Sequence, residues 1–213
     1  MGTIKQGANG GFSGKAGSVI GSSWKGIDYI KGRPKTSNKP ATQRQLEQQA
    51  KFSLAVKFLK PIKDLLNATC SSLREGRAMG FNMALKQVLS QAVLGDYPDY
   101  YIDYSAVKLA YGQLARAKGS AIAEAGGILK VNWVTQENVY NGFADDKITV
   151  LIYEQETNIY THGLDNYTRA DGEMEIILEE NMVGQALAIY YFFTDRNGKR
   201  ISDSYFAGEV VII

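Results

Sequence analysis

The stretch LAIYYFFTDRNGKRISDSYF, residues 187–206, decides the class of fold in the second half of this 213-residue chain. Two strand candidates, Leu187–Phe193 and Lys199–Phe206, stand on either side of Asn197-Gly198. Both residues of that dipeptide tolerate a positive φ. Two apolar strand candidates joined by Asn-Gly are typical of a β-hairpin. We therefore predict a pair of antiparallel strands here.

The pattern continues on both sides of this hairpin. From Gly127 onward apolar and polar residues alternate with a period of two, and Gly, Asn and Asp separate the runs. This pattern, over about 90 residues, predicts an immunoglobulin- or fibronectin-like β-sandwich at residues 120–213, stable without the rest of the chain. The Ala- and Gly-rich residues 113–126 are predicted to be an exposed crossing. The seven predicted strands are Ile128–Val134, Lys147–Tyr153, Asn158–His162, Glu173–Leu178, Leu187–Phe193, Lys199–Phe206 and Glu209–Ile213.

The residues before the sandwich have the pattern of helices. The motif Thr42-x-x-Gln45 is a capping-box pattern, in which a hydroxyl and an amide satisfy free backbone N–H groups at a helix start. Apolar residues then recur at steps of four as far as Phe58, and Pro61 interrupts the helix. A further helix is predicted to follow Gly80 and to end at Gly95. Two or three helices are therefore expected, and the fold class is α+β.

The first 33 residues are dense in glycine, yet they are not a plain linker. Nine of them are Gly, and short strands are predicted near residues 17–22 and 26–31. Glycine allows close backbone approach, and a solvated linker has no need of large apolar side chains. We expect residues 1–33 to be ordered and to contact another copy of the chain; packing on the chain's own sandwich is the alternative. The expected interface residues are Phe12, Val19, Ile20, Trp24 and Tyr29.

The net charge of +2 hides a strong division along the chain. Residues 1–95 carry 15 Lys and Arg against 4 Asp and Glu, whereas residues 96–213 carry 9 against 18. The basic half could bind nucleic acid or another polyanion, or meet the acidic half of a second copy. The alternative is that each half only solvates its own surface. The candidates for weak, salt-sensitive polyanion binding are Lys15, Lys25, Lys31, Arg33 and Lys35.

Residues for most enzyme chemistry are scarce. The chain has one Cys, Cys70, and one His, His162, which excludes a disulfide framework and most zinc and histidine-base sites. Nucleophile-elbow, P-loop and zinc-protease motifs are absent. Asp195-x-Asn197-Gly198 resembles the start of a calcium loop but lacks the later ligands, and a turn accounts for it better. We expect no enzymatic activity, no catalytic residue, no cofactor and no metal.

Two further patterns concern the location of the chain and its middle segment. No apolar run approaches the ~20 residues of a membrane span, and no ordinary secretory signal is recognised, so the expected location is the cytoplasm or an assembled particle. Residues 96–112 form an aromatic connector that contains five tyrosines. These rings could stack on sugars or bases, but we favour a seam between the helical and β parts because Tyr is amphipathic.

Three stretches carry a resemblance to a known family. They are GANGGFSGKAGSVIGSSWKGIDYIKGRPK (7–35), NKPATQRQLEQQAKFSLAVKFLKPIK (38–63) and YPDYYIDYSAVKLAYGQL (97–114). With the GFSGKxGxVxGxxWKG core between Gly11 and Gly26, the chain resembles an uncharacterised family of Bacteroidota proteins known as a domain of unknown function. The second stretch is also similar to phage and prophage structural proteins. The resemblance implies an association with a virion or an assembly and implies no catalytic residue.

These patterns together predict two parts and one function. Residues 1–112 are expected to hold the basic Gly-rich segment, the helices and the connector, and residues 120–213 the acidic sandwich. The predicted function is that of a structural or assembly protein that forms homo-oligomers through its N-terminal segment. The alternative is a polyanion-binding module that uses the basic half.

Overall fold

A computed structural model describes most of the chain, and its residues separate into two compact units, Met1–Thr42 and Gln43–Ile213. The helices thus fall in the same unit as the C-terminal strands. The described residues are 3–4, 11–24, 26–35, 40–70, 79–135, 137–138, 140–163 and 167–212.

The N-terminal unit is a four-stranded antiparallel sheet in the order β1-β2-β3-β4. A two-residue turn with Gly17 at a φ of +60° joins β2 to β3, as a tight hairpin requires. Gly21 lies where a Cβ atom would stand 2.0 Å from the Phe12 carbonyl oxygen, so only glycine allows β2 and β3 to approach this closely. The strands are β1 (Thr3–Ile4), β2 (Phe12–Ala16), β3 (Val19–Trp24) and β4 (Ile27–Gly32).

Among its described residues, the C-terminal unit begins with three helices, α1 (Gln43–Leu59), α2 (Lys63–Thr69) and α3 (Gly80–Gln87). The predicted interruption at Pro61 is a 3₁₀ turn, Lys60–Ile62, between α1 and α2. The helix predicted from Gly80 to Gly95 is shorter than expected. A π-helical turn and a two-residue strand follow α3, so Gly95, with a φ of +93°, ends a strand instead of a helix.

The strands of this unit form three antiparallel sheets, in the orders β10-β9-β12-β13, β11-β8-β7 and β5-β6. The fold is therefore α+β, as the sequence predicts. The strands are β5 (Val93–Leu94), β6 (Tyr101–Ile102), β7 (Gly119–Glu124), β8 (Ile128–Trp133), β9 (Lys147–Glu154), β10 (Ile159–His162), β11 (Glu173–Ile177), β12 (Ala186–Thr194) and β13 (Tyr205–Val211).

Two sequence-based expectations about these strands are wrong. Residues 119–124 are not an exposed crossing but the strand β7, whose inward side chains are small and give a weak hydrophobic signal. The two strands expected after Asn197-Gly198 are one strand, β13. The predicted hairpin turn at Asn197-Gly198 is present, with Thr194 opposite Ile201 and Gly198 at a φ of +68°. Inside this turn the Asp195 carboxylate accepts hydrogen bonds from the backbone N–H groups of Lys199 and Arg200, and the regular strand β13 begins only at Tyr205.

The strands β9 and β12 are buried on both faces. All seven residues from Leu187 to Phe193 are buried, and alternate side chains enter two different cores. Leu187, Ile189 and Tyr191 pack toward the three-stranded sheet, whereas Tyr190 and Phe192 pack toward the helices. A strand covered on both sides has a continuous apolar run instead of an alternating one, which is the pattern of LAIYYFF.

Candidate interaction surfaces

The register of the N-terminal sheet divides the five predicted interface residues between its two faces. Directly opposite residues share a face, and Ile20, Ser22 and Trp24 of β3 lie opposite Lys31, Tyr29 and Ile27 of β4. Ile20, Trp24 and Tyr29 therefore lie together on one face. We call this side, with Ile27, the tryptophan face. Sequence reasoning missed Ile27, although its position two residues before Tyr29 is a period-two signal.

Phe12 and Val19 are on the opposite face and do not join the other three. The Phe12 ring lies beside Gly21, and Val19 lies opposite Gly32. Both side chains are half-buried, and glycine on the neighbouring strand leaves room for them. They hold the hairpin together rather than extend the tryptophan face.

The strand β4 combines exposure with a free edge. It is the last strand in the sheet order, so among the described residues its outer edge pairs with no other strand. All six of its residues are exposed, including Ile27 at 50%, Tyr29 at 44% and Ile30 at 65%. An edge strand with exposed apolar side chains is the kind of surface on which another strand can pair.

Two of the predicted polyanion residues lie on the tryptophan face. Lys15 and Lys31 flank Ile20 on the neighbouring strands, so their backbones are about 10 Å apart. Arg33 and Lys35 follow β4 directly and are exposed. Lys25 lies outside the described residues. The tryptophan face is thus apolar along its centre and basic at its margin.

In the C-terminal unit, part of the aromatic connector is a seam between helix and sheet. Tyr104 packs with Phe58 of α1, whose ring meets Tyr153 of β9 edge to face at 4.8 Å between centroids. The ring of Tyr160 in β10 packs against that of Tyr153 at a tilt of 44°, also with 4.8 Å between centroids. Burial raises the pKa of Tyr153 and of Tyr160, since a phenolate loses its hydration there. These rings stay neutral and structural.

Other tyrosines of the connector point to solvent. Tyr97 and Tyr101 are 42% and 57% exposed, and Tyr101 lines a groove of about 790 Å³ beside the seam. The groove also receives polar side chains from the ends of β9 and β13, including Gln155, Glu156 and Glu209. No sequence pattern predicts this convergence, because these residues lie more than 40 positions from the connector.

Cys70 lies in the core, whereas His162 lies at the end of a strand. Cys70 is fully buried, and burial raises the pKa of its thiol to about 11. His162 ends β10, as predicted, and faces a cavity of about 480 Å³ that Asp64 and Tyr160 also line. Among the described residues, no three His, Cys, Asp or Glu side chains are grouped so that they could hold a metal ion. None of the described helices combines the length and apolar character that a membrane crossing requires.

Residues 11–208 match the model of a family of unknown function, DUF6266. The matched range extends from the residue before β2 into β13, so it includes strands of both units. No curated protein matches the chain.

Proposed function

The chain belongs to the DUF6266 family, whose function is unknown, and we propose that it is a non-enzymatic assembly protein that forms homo-oligomers through its N-terminal sheet. The observation that carries the proposal is the edge strand β4, which is exposed along its whole length and bears Ile27, Tyr29 and Ile30. A second β4, or another edge strand of a second copy, would pair with this free edge and cover these side chains.

The energetics of the small sheet favour a partner. A small single-layer sheet that leaves apolar side chains exposed buries little surface, so a partner that covers them would stabilise it. Trp24 is 52% exposed, so association would bury much additional aromatic surface. The basic and acidic halves of the chain, at +11 and −9, also favour a head-to-tail arrangement of copies.

The same proposal extends to the C-terminal strands and to the biological setting. The strands β7 to β13 form two sheets. One sheet contains β7, β8 and β11, and the other contains β9, β10, β12 and β13. We regard this as an immunoglobulin- or fibronectin-like sandwich that the assembly displays. A particle of phage-like type in a Bacteroidota host, assembled in the cytoplasm, is the setting that the sequence resemblance implies.

Light scattering over a range of concentrations tests the proposal. The full-length chain should form a defined oligomer, and deletion of residues 1–33 should lower its mass while the C-terminal unit stays folded. Trp24→Ala should weaken association by about 2 kcal/mol, or roughly 30-fold in Kd, which is typical of a buried aromatic at an interface.

A matched pair of substitutions separates strand pairing at the β4 edge from nonspecific hydrophobic association. Ile27→Lys places a charge on the edge strand β4, and Ile177→Lys does the same on β11, another edge strand, where Ile177 is 83% exposed. Only the first should dissociate the oligomer. A full-length chain that stays monomeric at high concentration, or equal effects of the two variants, would contradict the proposal.

Polyanion binding is the second candidate, and the position of Lys15 and Lys31 on one face favours it. Together with Arg33 and Lys35, these lysines would make about four phosphate contacts. Raising the salt concentration from 50 to 200 mM should then lower the affinity for a polyanion roughly 100-fold. The test is titration of double-stranded DNA of two unrelated sequences, with Lys15→Glu/Lys31→Glu as the variant. Binding that survives high salt or prefers one sequence would exclude this simple electrostatic mode.

A further inference from the structure

The groove beside the aromatic seam is a second surface on which a ligand could lie, separate from the N-terminal sheet. Its floor is formed by Phe58, Tyr104 and Tyr153, and its open side by Tyr101. We propose that this groove binds a neutral carbohydrate chain.

The aromatic part of the groove presents one strongly exposed ring, that of Tyr101. The Tyr101 side chain is 57% exposed, although the adjacent Ile102 is buried in the core. Tyr100 next to it has the Lys51 ammonium 4.8 Å from its ring centroid, so one of its ring faces is covered. Tyr101 is thus the ring available for stacking. The apolar face of a sugar ring is a matching partner for such a surface, because it covers the ring without needing charge.

The polar part of the groove holds both donors and acceptors in fixed positions. Gln155 Nε2 donates to Glu209 Oε2 at 2.9 Å, and the Tyr153 hydroxyl donates to Asn158 Oδ1 at 2.8 Å. The Asp103 Oδ1 accepts hydrogen bonds from the backbone N–H and hydroxyl of Ser105. These bonds orient the side chains and leave further carboxylate lone pairs and amide atoms for a ligand.

This mixture of groups distinguishes a sugar from a cation. Each hydroxyl of a sugar both donates and accepts, so it can use amides, carboxylates and an ammonium together. A cationic peptide would use only the acceptors and would leave the amide donors and the Lys57 ammonium of the groove unpaired. The carboxylates of Asp103, Glu156 and Glu209 outnumber this one ammonium, so acidic polysaccharides and nucleic acid are also disfavoured.

Affinity electrophoresis of the full-length protein in gels that contain starch, xylan, glucomannan or mixed-linkage β-glucan tests the proposal. At least one of these neutral polymers should retard the wild-type protein. Tyr101→Ala should weaken that binding at least tenfold, since loss of a stacking ring typically has this effect. Glu209→Gln should weaken it less, because the amide keeps one acceptor.

The control variant is Tyr140→Ala, which removes a tyrosine that is 84% exposed and does not line the groove. It should bind like the wild type, and thermal unfolding should show that all three variants are folded. The absence of retardation by every polymer, equal loss with Tyr140→Ala, or tighter binding of oligolysine than of any polymer would overturn the proposal. None of these outcomes depends on the N-terminal sheet, so the test is independent of self-association.

Discussion

A buried ion pair between Arg169 and Asp146 offers the sharpest test of how the C-terminal unit is stabilised. The two side chains are 0% and 1% exposed, and Nε lies 3.1 Å from Oδ2. Arg169 also donates from Nη2 to the Ala115 carbonyl at 2.8 Å, and its guanidinium lies 4.0 Å from the centre of the Phe193 ring. The pair therefore ties the loop after β10 to the segment before β7 and to the core strand β12.

Asp146→Asn keeps the shape of this site but removes the negative charge. The Arg169 guanidinium then stays buried without a counter-ion, which costs about 3–5 kcal/mol in comparable buried pairs. Since domains of this size are stable by about 5–15 kcal/mol, the loss is a large part of the total. We expect the urea midpoint to fall sharply at an unchanged slope.

The neighbouring residue supplies the control. Asp145 pairs with Arg196 at 3.6 Å, but these side chains are 56% and 74% exposed. Solvent screens such a pair, so Asp145→Asn should change stability by ~1 kcal/mol or less. Combining Asp146→Asn with Arg169→Met should restore most of the loss, because no uncompensated charge remains. Equal, small effects of the two single Asn variants would refute this account.

Three further predictions follow from burial. The fragment 120–213, expected from sequence alone to fold independently, should not unfold cooperatively. Without the helices, the side chains of Tyr190 and Phe192 would be exposed to solvent. Urea titration followed by circular dichroism checks this prediction. Raising the pH above 10 should destabilise the chain. Burial raises the pKa of Tyr111 to about 12, so between pH 10 and 12 the Tyr111 hydroxyl ionises in the unfolded state but stays neutral in the folded state. The free energy of unfolding should therefore fall over this range, and Tyr111→Phe should reduce that fall in urea denaturation. Cys70 should resist alkylation in the native protein and react at the rate of unfolding, as mass spectrometry would show; rapid labelling in native buffer would contradict its burial.

The sequence by itself determined those features that depend on near neighbours in the chain. The period-two pattern predicted β8 to β11 closely, and Pro61 marked the break between α1 and α2 because its ring cannot continue a helix. The apolar run LAIYYFF predicted the central strand β12. These signals are local, since they arise from backbone conformation and from the side of an element that must be buried.

The tertiary structure alone decided what lies against each element. The helices cover the second face of β9 and β12, the small residues of β7 complete a sheet, and the regular pairing of β13 with β12 begins only at Tyr205, well after the Asn197-Gly198 turn. The register of the N-terminal sheet placed Ile20, Trp24 and Tyr29 on one face and Phe12 and Val19 on the other. Likewise, Asp146 meets Arg169, and Glu209 reaches Gln155, only after segments distant in sequence have packed. Such pairings depend on the free energy of the whole assembly of elements, which no short window of sequence contains.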